Sequence, residues 1–309
     1  MKINNSSIKK SIKILEKNEC IGIPTETVYG LAANAYSNEA TLKIFKIKKR
    51  PKNNPLIVHY YNLERLKKDC HVNRYVIKLY KKFCPGPITF ILKLKNDSMV
   101  SKNVTNNQNS LAVRFPKHHI TRSLLKKINF PLAAPSANIS TGISPVTKND
   151  VKDEFGKTIK YILNGGRSSI GLESTIVNLI NKPKIIRLGG LSIEEINKAI
   201  GLNLKYFSEN KLKFPGQSKL HYSPGIPIKL NIKNPKKGSA YLLINKKRTN
   251  NKNFFYLTKK KNLIEAGKNL YKMLRKIKKK KYKLIEVEKI PNKGLGQTIN
   301  DRLKRASFK

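Results

Sequence analysis

The sequence predicts an α/β fold built on a mixed sheet, followed by a second, smaller α/β domain. Short β-branched and aromatic runs alternate with amphipathic segments, and several strands follow one another directly, which a strictly doubly wound parallel sheet would not allow. At 309 residues the chain exceeds the size at which one hydrophobic core stops growing. The stretch "FSENKLKFPGQSKLHYSPGIP" interrupts the periodicity with three prolines and two glycines and reads as a long connection. The expected division is a first domain over 1–205, a connection over 206–229 and a small α/β domain over 230–309.

The elements follow in order. Ile8, Ile12 and Leu15 recur at helical spacing near the N-terminus. "CIGIPTETVYGLAANA" begins as an apolar strand and breaks into a polar turn, and "SNEATLKIFKIKKR" then resumes helical periodicity through Leu42, Phe45 and Ile47. "NPLIVHYYN" and "ITFILKLK" read as strands, and between them "NRYVIKLYKKFC" reads as a helix stopped by Pro85-Gly86-Pro87. Further strands are expected in "SLAVRFP", "FPLAAPSA", "SSIGLESTIVNLI" and "KIIRLGG". Ser192, followed three residues on by Glu195, is a capping box that opens the helix "IEEINKAI". In the second domain "IPIKLNI", "GSAYLLIN", "NFFYLT" and "KLIEVEKI" read as strands, and Leu263, Leu270, Leu274 and Ile277 mark an amphipathic helix.

Lys plus Arg number 65 against 18 Asp plus Glu, a formal charge of +47 that attracts any polyanion. Yet 54 of the 65 are Lys, in a chain rich in Asn and Ile. An AT-rich coding bias produces the same excess at tolerant surface positions, so charge alone does not select nucleic-acid binding. Cys20, Cys70 and Cys84 are odd in number and lack C-x-x-C spacing, which supports neither a disulfide framework nor a zinc knuckle. No apolar run approaches the roughly 18 residues of a membrane span, and the N-terminus lacks a signal-peptide pattern. A cytoplasmic protein with no membrane attachment is expected.

The motif absences narrow the chemistry. There is no phosphate loop of the G-x-x-x-x-G-K-[ST] type, no G-x-G-x-x-G, no H-E-x-x-H and no G-x-S-x-G. Five histidines and few carboxylates supply neither a metal cage nor a two-carboxylate glycosidase site. What remains is hydroxyls, amides and cations at the ends of expected strands: Thr25, Thr27 and Tyr29; Lys48, Arg50 and Asn54; His59; Arg114; Ser136, Asn138 and Ser144; Ser174 and Thr175; Arg187. Singly, each is an ordinary turn residue or helix end. Together they suit a ligand carrying phosphates and a carboxylate, which Arg grips with two donors at once. Such a site works by holding substrates and neutralising charge, without a protein nucleophile.

In that order, "GIPTETVYGLAANA", "KKRPKNNPLIVH", "CPGPITFIL", "LAVRFP", "APSANISTG", "ESTIV" and "RLGG" resemble the YrdC-type threonylcarbamoyl-AMP synthases over about residues 8–200. "PGQSKLHYSPGIP" is similar to the connection of the long form of that family, and the C-terminal stretch to the end of its second domain. The resemblance implies a YrdC-like twisted mixed sheet with a basic groove, plus a smaller Rossmann-like C-terminal domain. It implies a nucleotidyltransferase that makes threonylcarbamoyl-AMP and pyrophosphate from L-threonine, bicarbonate and ATP, for the threonylcarbamoyladenosine of tRNA beside the anticodon. By the family pattern Lys48, Arg50, Asn54, Ser110, Ser136, Asn138, Ser144 and Arg187 serve ATP, while Thr27, His59, Arg114, Ala134, Ser174 and Thr175 hold threonine. Tyr222 of "HYSPG" is implied to fold over the nucleotide as part of a lid. Magnesium is expected to arrive with ATP, and the partners to be tRNA-modification proteins that accept the adenylate, with tRNA contact possible in principle. The competing class is an RNA-binding protein of YrdC fold without adenylate synthesis, whose binding would weaken steeply with salt. Hydrogenase-maturation proteins of related fold need acylphosphatase and zinc-finger regions for which this chain has no room.

Overall fold

The computed structural model describes residues 4–207, 214–215, 220–245 and 251–308. Parts of the expected connection (208–213 and 216–219) and of the Lys/Asn-rich stretch (246–250) lie outside the described residues.

Chain order begins with α1 (Asn5–Glu16), capped by the Asn4 side chain, then β1 (Ile21–Ile23), β2 (Gly30–Asn34) and α2 (Asn38–Lys48). There follow β3 (Ile57–His59), α3 (Leu63–Lys67), α4 (Arg74–Phe83), β4 (Ile88–Lys93), α5 (Lys102–Thr105) and β5 (Ser110–Arg114). The first domain continues through α6 (His119–Lys127), β6 (Leu132–Ala133), α7 (Lys148–Phe155), β7 (Thr175–Asn178), β8 (Lys184–Arg187) and α8 (Ile193–Ile200), the last opened by the Ser192–Glu195 capping box. Its eight strands lie in the order β1-β2-β6-β3-β5-β4-β7-β8. Only β3 with β5 and β4 with β7 are parallel, so the sheet is mixed, as the adjoining strand signals require.

Period-two alternation sorts the central strands between two faces. Val58, Phe90, Val113 and Val177 enter the main core, while Ile57, Ile91, Ala112 and Ile176 form a separate cluster capped by Phe214 of the connection. The residues next in phase on that second face are polar. Register sets His59 opposite Arg114, Arg114 opposite Thr89, and Ile176 opposite Arg187.

The second domain contains β9 (Ile228–Lys229), β10 (Ala240–Asn245), β11 (Phe254–Thr258), α9 (Leu263–Lys279), β12 (Ile285–Val287) and α10 (Leu295–Ser307). Its strands are all parallel in the order β11-β10-β12-β9, a small Rossmann-like sheet. Its core is shared with the first domain, because Val28, Ile143, Val146 and Leu172 pack into the same cluster as Leu270, Leu274 and Leu303. No helix among the described residues is long and apolar enough to cross a membrane.

Three local expectations differ from the structure. "GLAAN" is a strand, β2, rather than a continuation of the turn; its small residues are poor strand formers, but pairing with β1 and β6 on both sides overrides that weakness. In α2 the buried stripe runs through Ala40, Ile44 and Phe45, leaving Leu42 40% exposed, because the Ser37 N-cap sets the helix phase against β2. Helices α3, α5, α6, α7 and α10 lie outside the helices expected from the sequence: α3 and α5 are too short to show a period, and α10 carries several charges among its apolar residues.

The two domains meet so closely that side chains are excluded at one point. Gly171 has φ +74, and a Cβ there would lie 2.7 Å from the Lys268 carbonyl oxygen in α9. Gly171→Ala is therefore expected to lower stability by about 2 kcal/mol or more, since it adds a backbone clash to the cost of a left-handed alanine. Gly201→Ala, at φ +72 with open space around it, is expected to cost only about 1 kcal/mol. Urea midpoints of the two variants measure the difference.

Candidate active site

On the second face of the large sheet a hollow of about 590 Å³, its open mouth included, gathers Arg50, His59, Arg114, Ser174 and Arg187 beneath His221 and Tyr222. The three guanidinium groups come from separate parts of the chain and converge because each sits where an element ends. Lys49 closes α2 in the left-handed region (φ 49), turning the chain so that Arg50 faces the hollow. Arg114 ends β5 and Arg187 ends β8.

Each arginine is fixed by donated hydrogen bonds. Arg50 donates to the Asn54 carbonyl (3.0 Å), the Asn54 Oδ1 (2.5 Å) and the Pro55 carbonyl (2.9 Å). Arg187 donates to the Ser174 carbonyl (2.8 Å) and hydroxyl (3.0 Å), and that hydroxyl lies 2.7 Å from Thr89 Oγ1. Arg114 pairs with Glu26 at 2.7 Å, while its Nε, like His59 Nδ1 and His221 Nδ1, is buried without a hydrogen-bond partner. Burial, reinforced by the neighbouring Arg187, takes the Arg50 guanidinium down to about 9, and burial takes Arg187 down to about 10. Both remain cationic at neutral pH. Burial, with Arg114 adding to it, holds His59 well below its usual value, and burial takes His221 to about 3, so both imidazoles are neutral.

Among the other expected residues, Thr27, Ala134 and Ser136 line the same hollow. Lys48 does not reach it: its ammonium is buried and donates to the Ser136 (2.6 Å) and Asn138 (2.5 Å) carbonyls, bracing that loop from behind. Asn138 bonds the Ser136 hydroxyl (2.6 Å) and the Gly142 carbonyl (2.9 Å), and Asn54 is held by Arg50, so both act on the hollow through a neighbour. Ser144 donates to Glu173 (2.6 Å) and Thr175 to the Leu191 carbonyl (2.6 Å). Ser110, at the start of β5, lines a shallow neighbouring cleft with Pro55 and Phe214.

Both domains match known families. Residues 13–189 match the Sua5/YciO/YrdC family model, described as telomere recombination, and residues 191–307 match the model described as threonylcarbamoyl-AMP synthase, C-terminal domain. The threonylcarbamoyl-AMP synthase of Pyrococcus abyssi is 33% identical, with 99% of this chain and 95% of that one covered, and that of Bacillus subtilis 32%, with 98% and 94% covered. The chain belongs to the threonylcarbamoyl-AMP synthase family. The crystal structure of P. abyssi Sua5 complexed with L-threonine superposes with a TM-score of 0.91 at 32% identity, over 99% of this chain and 96% of that one. As a member of the threonylcarbamoyl-AMP synthase family the chain thus shares its two-domain architecture from end to end.

Glu173 and His221, which line the hollow, and Glu26, which pairs with Arg114, were not assigned by sequence reasoning. A signal was present for the carboxylates. In a chain with only 18 acidic residues, one lies inside "PTETVYGL" and one inside "LESTIV", two of the segments that supply hydroxyls to the hollow.

The two neutral histidines make stability depend on pH in a definite direction. Their folded values lie below the unfolded value near 6.5, so the unfolded chain takes up protons first and stability, complete above pH 6.5, is lost as pH falls. The expected slope between pH 6 and 5 reaches about 1.4 kcal/mol per pH unit for each histidine. Urea midpoints across that range should fall less steeply in His59→Gln than in the wild type.

Proposed function

We propose that this hollow binds L-threonine, bicarbonate and ATP side by side and joins them into threonylcarbamoyl-AMP with release of pyrophosphate. The observation that carries the reading is the gathering of Arg50, Arg114 and Arg187 around one hollow, the last two buried and Arg50 half-buried. Keeping three cations out of water is costly unless anions meet them, and among the described residues neither Arg50 nor Arg187 has a carboxylate within hydrogen-bond distance. A triphosphate and an amino-acid carboxylate answer that charge.

The roles follow from position. Arg114 keeps an unpartnered Nε beside its bond to Glu26, which suits it to the threonine carboxylate. His59, neutral and opposite Arg114 across the strand pair, presents a ring nitrogen to the amine or hydroxyl, with Thr27 and the Ala134 backbone beside it. Arg50 and Arg187 face the phosphates, and Ser136 with Ser174 supplies hydroxyls between the two substrates. Lys48 and Asn138 serve ATP indirectly, by holding the Ser136 loop. Magnesium enters complexed to ATP, since Glu173 at the hollow and Glu26 behind Arg114 are both engaged by arginines.

The threonine nitrogen attacks the carbon of bicarbonate and water departs, leaving a carbamate. One carbamate oxygen then attacks the α-phosphorus in line as the bond from that phosphorus to the bridging oxygen breaks and pyrophosphate leaves. No protein nucleophile is needed; the chain aligns the reactants and offsets charge as it shifts to the leaving group. The product anhydride is lost to water unless enclosed, and His221 with Tyr222 covers it. It then passes to proteins that modify tRNA.

The experiment is pyrophosphate release with each substrate omitted in turn, together with mass spectrometry of the nucleotide product from ¹³C-bicarbonate. A product one mass unit heavier supports the reading, and release that ignores omission of threonine overturns it. Arg50→Ala is expected to lower kcat/KM for ATP by about 100-fold or more. Arg114→Ala should raise KM for threonine by a comparable factor, each having lost a charge-assisted pair of roughly 3 kcal/mol.

A further inference from the structure

Arg302, in α10 of the second domain, is completely buried and makes contacts to which the reading above gives no part in catalysis. Its Nε donates to Glu173 Oε2 at 2.9 Å, and its Nη2 donates to the Leu188 carbonyl at 2.6 Å. Its guanidinium lies 4.7 Å from the ring centre of Tyr222. Each contact is one step from the hollow: Leu188 follows Arg187, Glu173 precedes the Ser174 that holds Arg187, and Tyr222 is the cover. Tyr271 of α9 adds a second tie, donating to Glu173 at 2.8 Å and stacking on Tyr222 with centroids 5.7 Å apart. Glu173 also accepts from Ser144 at 2.6 Å.

Tyr222 adopts φ +65, a left-handed backbone that a bulky side chain holds only when its surroundings dictate it. The surroundings here are Arg302 on its ring, Tyr271 beside it and His221 4.0 Å away. The backbone anchors of the cover are few: His221 N donates to the Arg305 carbonyl of α10 (3.2 Å), and Ser223 N to the Thr141 carbonyl (2.8 Å).

We propose that Arg302 is a positioning residue for adenylate formation, through which the second domain holds Tyr222 closed over the nucleotide and sets Arg187 by way of Glu173 and Leu188. This makes the second domain part of the site's closure. The inference rests on the hollow binding ATP, but its first readout does not need turnover.

Removing Arg302 alone strands Glu173 in the interior, which risks the fold. The test variant is therefore the full chain with Glu173→Gln and Arg302→Met together, and Tyr271→Phe is the milder companion. In hydrogen exchange on the enzyme without substrates, the amides of His221 and Ser223 are expected to exchange at least tenfold faster in the double variant, while those of β10 and α9 keep their wild-type protection. Tyr271→Phe should shift the same two amides in the same direction by a smaller factor. In turnover, KM for ATP is expected to rise about tenfold with kcat changed by less than threefold and the urea midpoint retained.

Wild-type exchange at His221 and Ser223 in both variants would overturn the proposal, as would a loss of activity that tracks only a lowered urea midpoint. If the wild-type enzyme releases no pyrophosphate, the catalytic reading fails while the exchange result still judges the latch.

Discussion

The structure depends on keeping cations out of water while they remain charged. Arg114 and Arg187 are buried and Arg50 is half-buried around one hollow, and a guanidinium so placed is tolerated only where its donors are satisfied and its charge is answered. For Arg50 and Arg187 the chain meets the first requirement with carbonyl oxygens at the ends of elements, where strands and helices leave backbone acceptors without ladder partners. Asn54 and Pro55 follow α2, and Ser174 precedes β7. The second requirement is met by the carboxylate of Glu26 for one arginine, and in the proposed function by substrate anions for the others. On that reading binding and neutralisation are the same event, and a polyanion is held without a phosphate loop.

Placing those groups requires a sheet buried on both faces for two different reasons. One face packs apolar helices, and the other carries apolar residues at mid-strand and polar residues at the strand ends. "IVH", "AVR" and "TFI" each write this in three letters: the middle residue enters the main core, and its neighbours face the hollow side. This pattern is why the catalytic domain was legible from its sequence, since strand ends carrying His, Arg or Thr after a β-branched run show where polar groups will gather. β2 was not legible because alanines and a glycine do not announce a strand; their smallness serves close packing, which appears only when both neighbouring strands are in place. Lys48 shows a different failure. A lysine near the hollow reads as a phosphate ligand, yet its ammonium lies behind the loop on two carbonyls, and nothing in linear sequence separates the front of a loop from its back.

The second domain was legible as a fold but not as part of the site. Its strands and α9 have clean periodicity, whereas its bearing on the hollow runs through Tyr271 and Arg302, about 100 and 130 residues from Glu173 in sequence. The interface that brings them there is apolar at Leu172 and needs glycine at Gly171, so the second domain is seated by packing before any polar contact forms. Seating it this firmly suits a buried ion pair. The attraction between Glu173 and Arg302 overcomes the cost of burial only if their separation is held, and here the carboxylate is taken down to about 2: burial alone would raise it, and Arg302, Arg187 and Ser144 outweigh that.

The composition, uninformative in total, becomes informative once the two basic residues are separated. A chain with 54 lysines and 11 arginines has been pushed toward lysine wherever a point charge is enough. Arginines persist where several donors in one plane are required, which an ammonium cannot supply. Arg65 caps the end of α6 by donating to the Leu125, Lys126 and Ile128 carbonyls. Arg167 bonds the Lys268 carbonyl (2.7 Å) and Asn269 (3.0 Å) across the domain interface, and Arg275 reaches back to the Ile143 carbonyl (2.5 Å) and Glu154 (3.0 Å). Arg302 joins Glu173, Leu188 and Tyr222, and Arg50, Arg114 and Arg187 are the forks of the hollow itself. In a chain so biased an arginine marks geometry rather than charge, which is why the three arginines at strand and helix ends carried more of the functional argument than the whole lysine excess.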